Sequence, residues 1–350
     1  MTPERSWRRS TRQWPSFVDR DEAIAAYEPA AREALGSFPI EPAGLEFVNV
    51  SENVTFKVAD ARDGAPYVLR LHRPGYHDDE ALRSEPLWTS ALARAGVAVP
   101  QPVAARSGGH YVRVEVTATG ERRNAGLARW IDGELLADVV AREPDPAINA
   151  GHFERLGAIM ADLHDQASGW TPPAAFKRHS LDADGLMGPA PFWGPFWDHP
   201  AFSADERSLL VATRDSIHAA LLRHGRHPAT YSVIHADLHP GNVLIDGERL
   251  AVIDFDDTGF GWHAYDMAVA LVFHQEGGRY ERFRDALLAG YRRRRPFAES
   301  LVQRLPMFML VRRLVQIGWL LHRPELGQPP DLRARMDAIL EAAARFEPPC

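Results

Sequence analysis

Alternating apolar and polar residues dominate the chain between residues 45 and 131. The runs LEFVNV, NVTFKVA, PYVLRLH, HYVRVEV and GLARWI are separated by turn-forming pairs such as Asp63-Gly64 and Gly108-Gly109. A period of two residues is typical of half-buried strands. We therefore predict an antiparallel sheet of about five strands, which is a common sheet size. A helix predicted at 79–95, with leucines on one face, interrupts these strands.

After residue 131 the apolar residues recur mainly with helical spacing. This pattern predicts helices over 153–166, 203–224, 263–275, 279–294, 299–322 and 331–346. A small β insert is predicted at 232–254, and another helix, at 19–35, precedes the first strand. We expect an α+β chain with three parts: an N-terminal extension with a helix (1–44), a lobe built on the sheet (45–131) and a mainly helical lobe (132–350).

Composition and charge exclude several classes of function. The 350 residues include 40 Lys and Arg against 47 Asp and Glu, a net charge of −7 that repels polyanions, so nucleic acid is not an expected partner. The single cysteine, Cys350, excludes an intramolecular disulfide and a Cys-rich zinc site. The start, MTPERSWRRSTRQWPSF, lacks the apolar stretch of a secretory signal. The apolar stretch Met307–Leu321 is interrupted by Arg312 and Arg313 and is too short to span a bilayer. We therefore expect a cytoplasmic protein without a membrane partner, and no pattern indicates its oligomeric state.

One segment, VIHADLHPGNVLIDGERLAVIDFDD at 233–257, carries most of the candidate chemistry. Short apolar runs at 232–234, 243–245 and 250–253 predict strands. The turn at Asp246-Gly247 makes the last two of these strands a hairpin. The polar residues of the segment are therefore expected at strand ends and in the loops between strands.

Three of these polar residues are expected to lie close together. A hairpin returns the end of its second strand toward the start of its first, which brings Asp254 near Asp237 and Asn242. Like charges at short range raise each other's pKa unless a cation intervenes. Carboxylate and amide oxygens select a hard cation, with Mg²⁺ the leading candidate.

The spacing of these residues resembles the H-x-D-x-x-x-x-N and D-F-G segments of protein kinases. The sequence HADLHPGNVLI, followed by VIDFDD, is similar to the motifs of the aminoglycoside phosphotransferase family. This family also includes choline, homoserine type II, hydroxylysine and stress-response kinases. The resemblance extends over roughly residues 45–320 and is strongest over 233–270. It implies a two-lobed protein-kinase-like fold, with an N-terminal antiparallel β-sheet lobe containing one key helix and a mainly α-helical C-terminal lobe.

The same resemblance implies an activity, the transfer of the γ-phosphoryl group of ATP, with Mg²⁺, to a hydroxyl group. Asp237 would then be the catalytic base that orients the acceptor hydroxyl, and Asn242 and Asp254 would be the metal ligands. His235 would support the catalytic loop, and Asp266 in AYDMAVAL would anchor that loop from the following helix.

Nucleotide-binding residues are also implied in the first lobe. Arg70 occupies the place of the strand lysine that contacts the nucleotide phosphates in kinases, and Glu85 would be its ion-pair partner. Arginine departs from the protein-kinase pattern, but its guanidinium can hold phosphate oxygens bidentately. Adenine would lie against the connector between the lobes, where the main chain of Arg129, Trp130 and Ile131 could mimic base pairing.

Two loops depart from the protein-kinase pattern. The turn between the first two strands contains no glycine, so Ser51 or Asn53 would contact phosphate there. The sequence at 254–256 is Asp-Phe-Asp in place of D-F-G, and Asp256 would either help to hold the metal or cap a turn.

Some polar residues have other interpretations. His235, Asp237 and His239 could form a transition-metal face on a strand, but Pro240-Gly241 would end that strand at once. His164 is interpreted as a hydrogen-bonded packing residue, because the apolar side of its helix lies next to it.

The acceptor class has one favoured interpretation and two alternatives. We expect a small-molecule hydroxyl, on an amino alcohol, an aminoglycoside-like compound or a sugar. A protein Ser/Thr kinase of the stress-response type is an alternative, suggested by the Asp-Phe-Asp-Asp wording at 254–257. A non-catalytic nucleotide-binding protein is another, although such a module has no chemical need for a base and two metal ligands together. The aromatic residues at 192–197 could cover the site or anchor their own loop, and anchoring is favoured because aromatic side chains often serve cores.

Overall fold

The computed structural model describes residues 20–50, 53–275, 278–323 and 327–349. The helices are α1 (Arg20–Leu35), α2 (Asp79–Arg94), α3 (Leu136–Arg142), α4 (Pro146–Gly169), α5 (Ala183–Met187), α6 (Ala204–His224), α7 (His263–Leu271), α8 (Tyr280–Arg292), α9 (Glu299–Val302), α10 (Leu305–Leu321) and α11 (Leu332–Ala344). The strands are β1 (Pro42–Val50), β2 (Val54–Asp60), β3 (Pro66–Leu71), β4 (Pro102–Val103), β5 (Tyr111–Val116), β6 (Glu121–Arg129), β7 (Glu134–Leu135), β8 (Ser180–Leu181), β9 (Tyr231–Ile234), β10 (Val243–Asp246), β11 (Arg249–Val252) and β12 (Gly259–Trp262). Within the described residues, none of the helices combines the length and apolarity needed to cross a membrane.

The first lobe is built on a six-stranded antiparallel sheet with the order β1-β2-β3-β6-β4, and β5 also pairs with β6. Burial alternates along β2 and β3, as strands with one buried face require. Ala31 and Leu35 of α1 join Phe56 and Leu69 of the sheet in one apolar cluster. The predicted sheet is confirmed. Strand β4 is an addition of two residues, too short for a pattern of alternation to reveal.

Helix α2 connects the sheet lobe with the helical lobe. Asp78 caps its N-terminus by accepting a hydrogen bond of 2.8 Å from the Ala81 main-chain N–H. Its buried side chains Trp88 and Leu92 belong to the apolar cluster of the helical lobe and not to that of the sheet. Trp88 packs edge-on against Phe255, with ring centroids 5.5 Å apart. The segment that follows β11 is therefore packed directly against α2.

The chain changes its strand partners at the connector between the lobes. Strand β6 ends at Arg129 in the large sheet, whereas β7 pairs with β10. β10 forms a hairpin with β11 in which Val243 lies opposite Val252, and β8, β12 and β9 form a third sheet. The boundary near residue 131 falls between these two sets of partners, and the limits of the three parts stay predictions.

Helices α4 and α8 of the helical lobe approach each other at two glycines. A Cβ atom on Gly290 would lie 1.8 Å from the carbonyl oxygen of Glu154, and one on Gly157 would lie 2.0 Å from that of Leu287. The missing side chains therefore let the two main chains touch. This contact holds α4, which also packs on β9, behind the polar segment at 233–257.

Several predicted helices have different limits in the structure. The helix expected over 299–322 is divided into α9 and α10, and Pro306 lies in the first turn of α10, where a missing N–H is tolerated. The helix expected over 263–275 ends at Leu271 and continues as a 3₁₀ turn at Val272–His274. Helices α3 and α5 and the two-residue strands β7 and β8 were not predicted, because they are too short to show a period. Strand β12 was not predicted, because two of its four residues, Gly259 and Gly261, are glycines.

We predict that Gly290→Ala destabilises the protein, because the added methyl group would overlap the Glu154 carbonyl oxygen. Overpacking of this kind costs about 1–3 kcal/mol. Gly151→Ala is the matched control, since a Cβ on this α4 glycine meets nothing within 4 Å. Urea unfolding of both variants should show a loss for Gly290→Ala and none for Gly151→Ala, and equal stability of the two would contradict the close contact.

Candidate active site

Asp237 lies in the loop between β9 and β10, and its carboxylate contacts three side chains. Asn242 Nδ2 donates to Asp237 Oδ2 over 2.9 Å, and His239 Nε2 lies 3.3 Å from the same oxygen. The guanidinium of Arg312, on α10, donates to Oδ1. Burial acts to raise the pKa of Asp237, but Arg312 and His239 outweigh it and hold that pKa well below its usual range. The carboxylate is therefore ionised at neutral pH.

The turn that presents Asp237 is held from behind by Asp266 of α7. Its two carboxylate oxygens accept hydrogen bonds from the main-chain N–H groups of His235 (3.0 Å) and Ala236 (2.7 Å). Ala236 has a φ of 68°, a left-handed conformation that a non-glycine residue adopts only when its surroundings hold it there. Burial raises the pKa of Asp266 to about 6. The predicted anchoring contact between Asp266 and the loop is thus present in the geometry.

Two histidines complete the support of this turn. His235 Nε2 lies 3.0 Å from the Ile253 carbonyl oxygen, and its Nδ1 accepts from the Asp237 main-chain N–H over 3.2 Å. His164 lies 3.1 Å from Asp266 Oδ2 and 3.0 Å from the Tyr291 hydroxyl, and burial lowers its pKa well below the usual range. His164 is therefore a buried hydrogen-bonding residue behind the loop, as the sequence indicated.

The hairpin places Asp254 beside Asn242. The Ile253 main-chain N–H donates to the Asn242 carbonyl oxygen over 3.0 Å, and Asp254 follows with a φ of 65°. Although 46% of its side chain faces solvent, the enclosing protein raises the pKa of Asp254, and the charges of Asp256 and Asp237 add to that rise while Arg70 opposes it. Asp237, Asn242 and Asp254 thus face one region that is rich in negative charge.

Arg70 reaches this region from β3 of the other lobe. Its Nη2 donates to Asp254 Oδ1 over 2.7 Å, and its Nη1 lies 3.4 Å from Glu85 Oε1 on α2. Burial acts to lower the pKa of Arg70, but Asp254 and Glu85 outweigh it and hold that pKa above its usual range. The expected pair with Glu85 is present, and the pair with Asp254 in addition links the two lobes.

Asn53, one of the two residues expected to contact phosphate from the first turn, makes hydrogen bonds to other parts of the protein. Asn53 Nδ2 donates to Asp256 Oδ2 over 3.2 Å, and Asn53 Oδ1 accepts from the Arg73 main-chain N–H over 3.0 Å. Both ends of the Asn53 amide are therefore used to hold the turn against Asp256. Ser51 lies outside the described residues.

The connector residues are partly used by the fold itself. The main-chain N–H of Arg129 donates to the Gln101 carbonyl oxygen over 2.8 Å, and that of Trp130 donates to the Pro66 carbonyl oxygen over 3.1 Å. While these two N–H groups donate to the protein's own carbonyl oxygens, they cannot also donate to adenine. The predicted main-chain contact with adenine stays a prediction for the carbonyl groups of these residues and for Ile131.

Other residues at the site were not identified from the sequence. Arg312 was noted only as an interruption of an apolar stretch, although an arginine inside a buried helix was itself a signal. Tyr76 donates from its hydroxyl to Asp257, and Trp193 Nε1 donates to the Tyr76 hydroxyl over 3.1 Å. In the aromatic loop, Phe196 and Trp193 are both buried in the apolar core of the helical lobe, and Trp193 in addition contacts the Tyr76 hydroxyl.

Comparison with known proteins identifies the family of this chain. The model of the phosphotransferase enzyme family matches residues 45–299, which is well over half of the chain. The chain belongs to this family. It is a phosphotransferase with an alcohol group as acceptor, a kinase, and the fold and family expected from the 233–257 segment are confirmed.

Relatives of this phosphotransferase are named as kinases of different substrates. It is 31% identical to a homoserine kinase of Methylobacterium radiotolerans, over 89% of this chain and 91% of that one. It is 22% identical to amicoumacin kinase of Bacillus subtilis, over 85% of both chains.

Solved structures show the same fold. The microcompartment-associated aminopropanol kinase superposes with a TM-score of 0.73 at 32% identity, covering 91% of this chain and 94% of that one. Amicoumacin kinase hAmiN, in complex with AMP-PNP, Ca²⁺ and Ami, superposes with a TM-score of 0.75 at 19% identity, covering 94% and 97%. At this lower identity the second likeness is one of fold alone.

We predict that Arg312→Met destabilises the phosphotransferase in a pH-dependent manner. At pH 7 the variant leaves the ionised Asp237 without its main partner, which costs about 1–3 kcal/mol. The folded-state pKa of Asp237 is lowered in the wild type, so its contribution is present above the unfolded pKa and is lost as the pH falls. The loss of unfolding free energy in the variant should therefore become smaller below about pH 4, which is the usual pKa of an aspartate.

Urea unfolding at pH 7 and at about pH 3, below the usual pKa of an aspartate, measures this change in the free energy of unfolding. Arg313→Met is the matched control on the same helix, because Arg313 contacts Gln275 and not Asp237. A deficit of Arg312→Met that is equal at both pH values, or equal in its pH dependence to that of Arg313→Met, would contradict the assigned ion pair.

Proposed function

We propose that this phosphotransferase moves the γ-phosphoryl group of ATP, with Mg²⁺, to the hydroxyl group of a small amino alcohol. The observation that carries the proposal is the convergence of Asp237, Asn242 and Asp254 on one cleft, reached from the opposite lobe by Arg70. Phosphoryl transfer depends on positioning and on neutralising phosphate charge, and this arrangement offers both.

The donor set fits a hard dication. Asn242 uses its Nδ2 to donate to Asp237, so the other terminal atom of its amide is an oxygen acceptor. Burial raises the pKa of Asp254, and the charges of Asp256 and Asp237 add to that rise, which a bound cation would relieve. Asn242 and Asp254 would hold Mg²⁺, and the ion would neutralise phosphate charge when bound. The AMP-PNP and Ca²⁺ in the hAmiN complex are consistent with a nucleotide and a divalent ion in this fold.

Asp237 would orient the acceptor hydroxyl and receive its proton. The acceptor oxygen forms a bond to the γ-phosphorus while the bond to the leaving ADP oxygen breaks, and the proton passes to the carboxylate. Arg312 and His239 keep the pKa of Asp237 low, so this carboxylate is a weak base and a permanent hydrogen-bond acceptor. The main role of Asp237 is therefore to orient the acceptor hydroxyl. The proton of that hydroxyl is transferred late in the reaction, as a loose transition state favours.

A carboxylate next to Asp237 favours an amine on the acceptor. Arg312 lies near both Asp237 and Asp257, whose charges outweigh burial and hold the pKa of Arg312 above its usual range. Asp257 is flanked by Tyr76, and Trp193 lies against Tyr76. A carboxylate suits an organic ammonium group, because the ammonium can donate charge-assisted hydrogen bonds to it. The names of the homoserine and aminopropanol kinases, both above 30% identity, denote compounds with an amine and a hydroxyl.

Asp237→Asn and Asp254→Asn should fail in different ways. The first should lower turnover by about 10²–10⁴-fold, the usual contribution of a positioned base, with nearly unchanged binding of ATP and Mg²⁺. The second should lose the increase in melting temperature that MgCl₂ adds to ATP over ATP with EDTA, because ligand that binds the folded state stabilises it. ADP release and thermal shift measure the two effects, and Asp246→Asn, at the exposed end of β10, is the control.

Wild-type turnover in Asp237→Asn would remove that residue from the mechanism. A wild-type protein that shows neither ADP release with any hydroxyl acceptor nor a metal-dependent thermal shift would favour the non-catalytic alternative. Phosphorylation of a generic protein substrate in preference to every small acceptor would favour the protein kinase alternative.

Asp257→Asn tests the acceptor class. Loss of a charge-assisted contact of about 1.5–3 kcal/mol should raise the KM for an amino alcohol by about tenfold to a hundredfold, with the KM for ATP unchanged. The diol in which a hydroxyl replaces the amine is the control acceptor, and its KM should change little. An equal change for the amino alcohol and the diol would contradict recognition of the amine by Asp257.

A further inference from the structure

The loop between β3 and α2 reaches from the sheet lobe to the helical lobe. We call residues 73–77, with the sequence Arg-Pro-Gly-Tyr-His, the strap. The strap begins three residues after Arg70, on the strand that carries this arginine to Asp254. Gly75 has a φ of 74°, which glycine adopts without steric strain, and it turns the chain just before Tyr76. One short segment of the chain therefore carries both Arg70 and Tyr76.

Both ends of the strap are held at Asp256 of the helical lobe. At the start, the Arg73 main-chain N–H donates to Asn53 Oδ1 over 3.0 Å, and Asn53 Nδ2 donates to Asp256 Oδ2 over 3.2 Å. At the other end, His77 Nε2 lies 2.7 Å from the Asp256 main-chain oxygen. The strap therefore lies along the segment that follows Asp254.

Tyr76, between these two ends, is held by contacts of its hydroxyl and of its ring. The hydroxyl donates to Asp257 and accepts from Trp193 Nε1 over 3.1 Å. Trp193 is only 3% exposed, so this donor is fixed by the core of the helical lobe. The Arg323 guanidinium lies 4.8 Å from the centroid of the Tyr76 ring, within the range of a cation–π interaction. Tyr76 is therefore packed into the helical lobe, although its chain belongs to the sheet lobe.

The contact with Tyr76 orients the Asp257 carboxylate without blocking it. A tyrosine hydroxyl has one proton, and because Trp193 donates to the Tyr76 oxygen, that proton is the one donated to Asp257. A carboxylate has about four acceptor positions, and the hydroxyl takes one of them. The carboxylate can therefore accept further hydrogen bonds, such as those of the ammonium group that the proposed function assigns to Asp257.

Nucleotide binding acts on the same stretch of chain through Arg70. The Arg70 guanidinium donates to Asp254 over 2.7 Å, and the proposed function transfers it to the nucleotide phosphates when Asp254 holds Mg²⁺. Only five residues separate Arg70 from Tyr76, so a shift of β3 toward the nucleotide also moves the strap. A ligand favours one arrangement of the lobes only by binding it more tightly than the others. Nucleotide and acceptor therefore influence each other if both bind best with Tyr76 on Asp257.

We propose that Tyr76 positions the acceptor site from the sheet lobe, and that the strap thereby makes the binding of nucleotide and amino alcohol cooperative. This inference rests on the proposed function, since it takes Asp257 as the carboxylate that binds the amine. Nucleotide in the cleft favours the arrangement in which Tyr76 orients Asp257, and the amino alcohol binds that arrangement more tightly. Because linked equilibria are reciprocal, each ligand increases the affinity for the other by the same factor.

Isothermal titration calorimetry of the full-length protein measures this factor. The Kd of aminopropanol is determined with and without saturating AMP-PNP and MgCl₂, and the Kd of AMP-PNP with MgCl₂ is determined with and without aminopropanol. We expect a factor of at least about fivefold in the wild type, the lower end of typical couplings, in both directions. Tyr76→Phe removes only the hydroxyl and should lower the factor to less than about twofold.

Tyr67→Phe is the matched control on β3. The Tyr67 ring also lies beside an arginine, with the Arg129 guanidinium 4.5 Å from its centroid. Tyr67 is three residues before Arg70 and belongs to the apolar cluster of the sheet, so its side chain lies on the opposite face of the strand. This variant should keep the wild-type factor. Circular dichroism verifies that both variants are folded.

Hydrogen exchange of the strap amides gives a test that needs no acceptor. Addition of AMP-PNP and MgCl₂ should slow the exchange in the wild type and in Tyr67→Phe but not in Tyr76→Phe, because the slowing reports a strap held on the helical lobe. The proposal is overturned if the wild type binds both ligands without coupling, if Tyr76→Phe keeps the wild-type factor, or if nucleotide slows the exchange equally in Tyr76→Phe and the wild type.

Failure of the proposed function gives a different result. Aminopropanol would then neither bind nor react, while the nucleotide still slows exchange of the strap in the wild type and not in Tyr76→Phe. In that case the amine assigned to Asp257 is wrong, and the exchange data alone decide whether nucleotide fixes Tyr76 on the helical lobe.

Discussion

The structure depends on the electrostatic balance of a cleft in which several carboxylates face one another. Asp237, Asp254 and Asp256 would repel each other if they were left alone at this distance. Arg70 and Arg312 supply the compensating charge, and each comes from a different element of the fold, β3 and α10. The ion pair of Arg70 with Asp254 spans the two lobes, so the same interaction that balances charge also sets how the lobes meet.

The left-handed turn at Ala236 is the second constraint on the site. A buried carboxylate, Asp266, accepts two consecutive main-chain N–H groups and so keeps the turn in a conformation that it would not adopt alone. Burial disfavours the ionised form of this carboxylate and raises the pKa of Asp266 to about 6. The core helices α4 and α7 therefore hold this turn from behind, through Asp266 and the His164 that contacts it.

Local patterns in the sequence predicted the parts of the fold that local physics determines. Alternation predicted the strands of the large sheet, and the hairpin of β10 and β11 followed from a turn between two apolar runs. The pairing of that hairpin was enough to bring Asn242 and Asp254 together. The two-residue strands β7 and β8 could not be predicted, because they exist only through their partners.

Contacts between distant residues were beyond the reach of these patterns. Arg312 is 75 positions from Asp237, and Asn53 is 203 positions from Asp256. The contact of Asn53 with phosphate stays a prediction, whereas its hydrogen bond to Asp256 of the other lobe could not be expected from its place in a turn. Side-chain pairing across lobes depends on how the elements pack, and a single sequence carries no periodic signal for it.

The most direct test of the central claim is a crystal structure with AMP-PNP, MgCl₂ and an amino alcohol. We expect Mg²⁺ bound to the nucleotide phosphates by Asn242 and Asp254, with the acceptor hydroxyl within hydrogen-bond distance of Asp237 and Arg70 on the phosphates. A nucleotide and metal bound elsewhere, or an acceptor hydroxyl turned away from Asp237, would contradict the proposed arrangement.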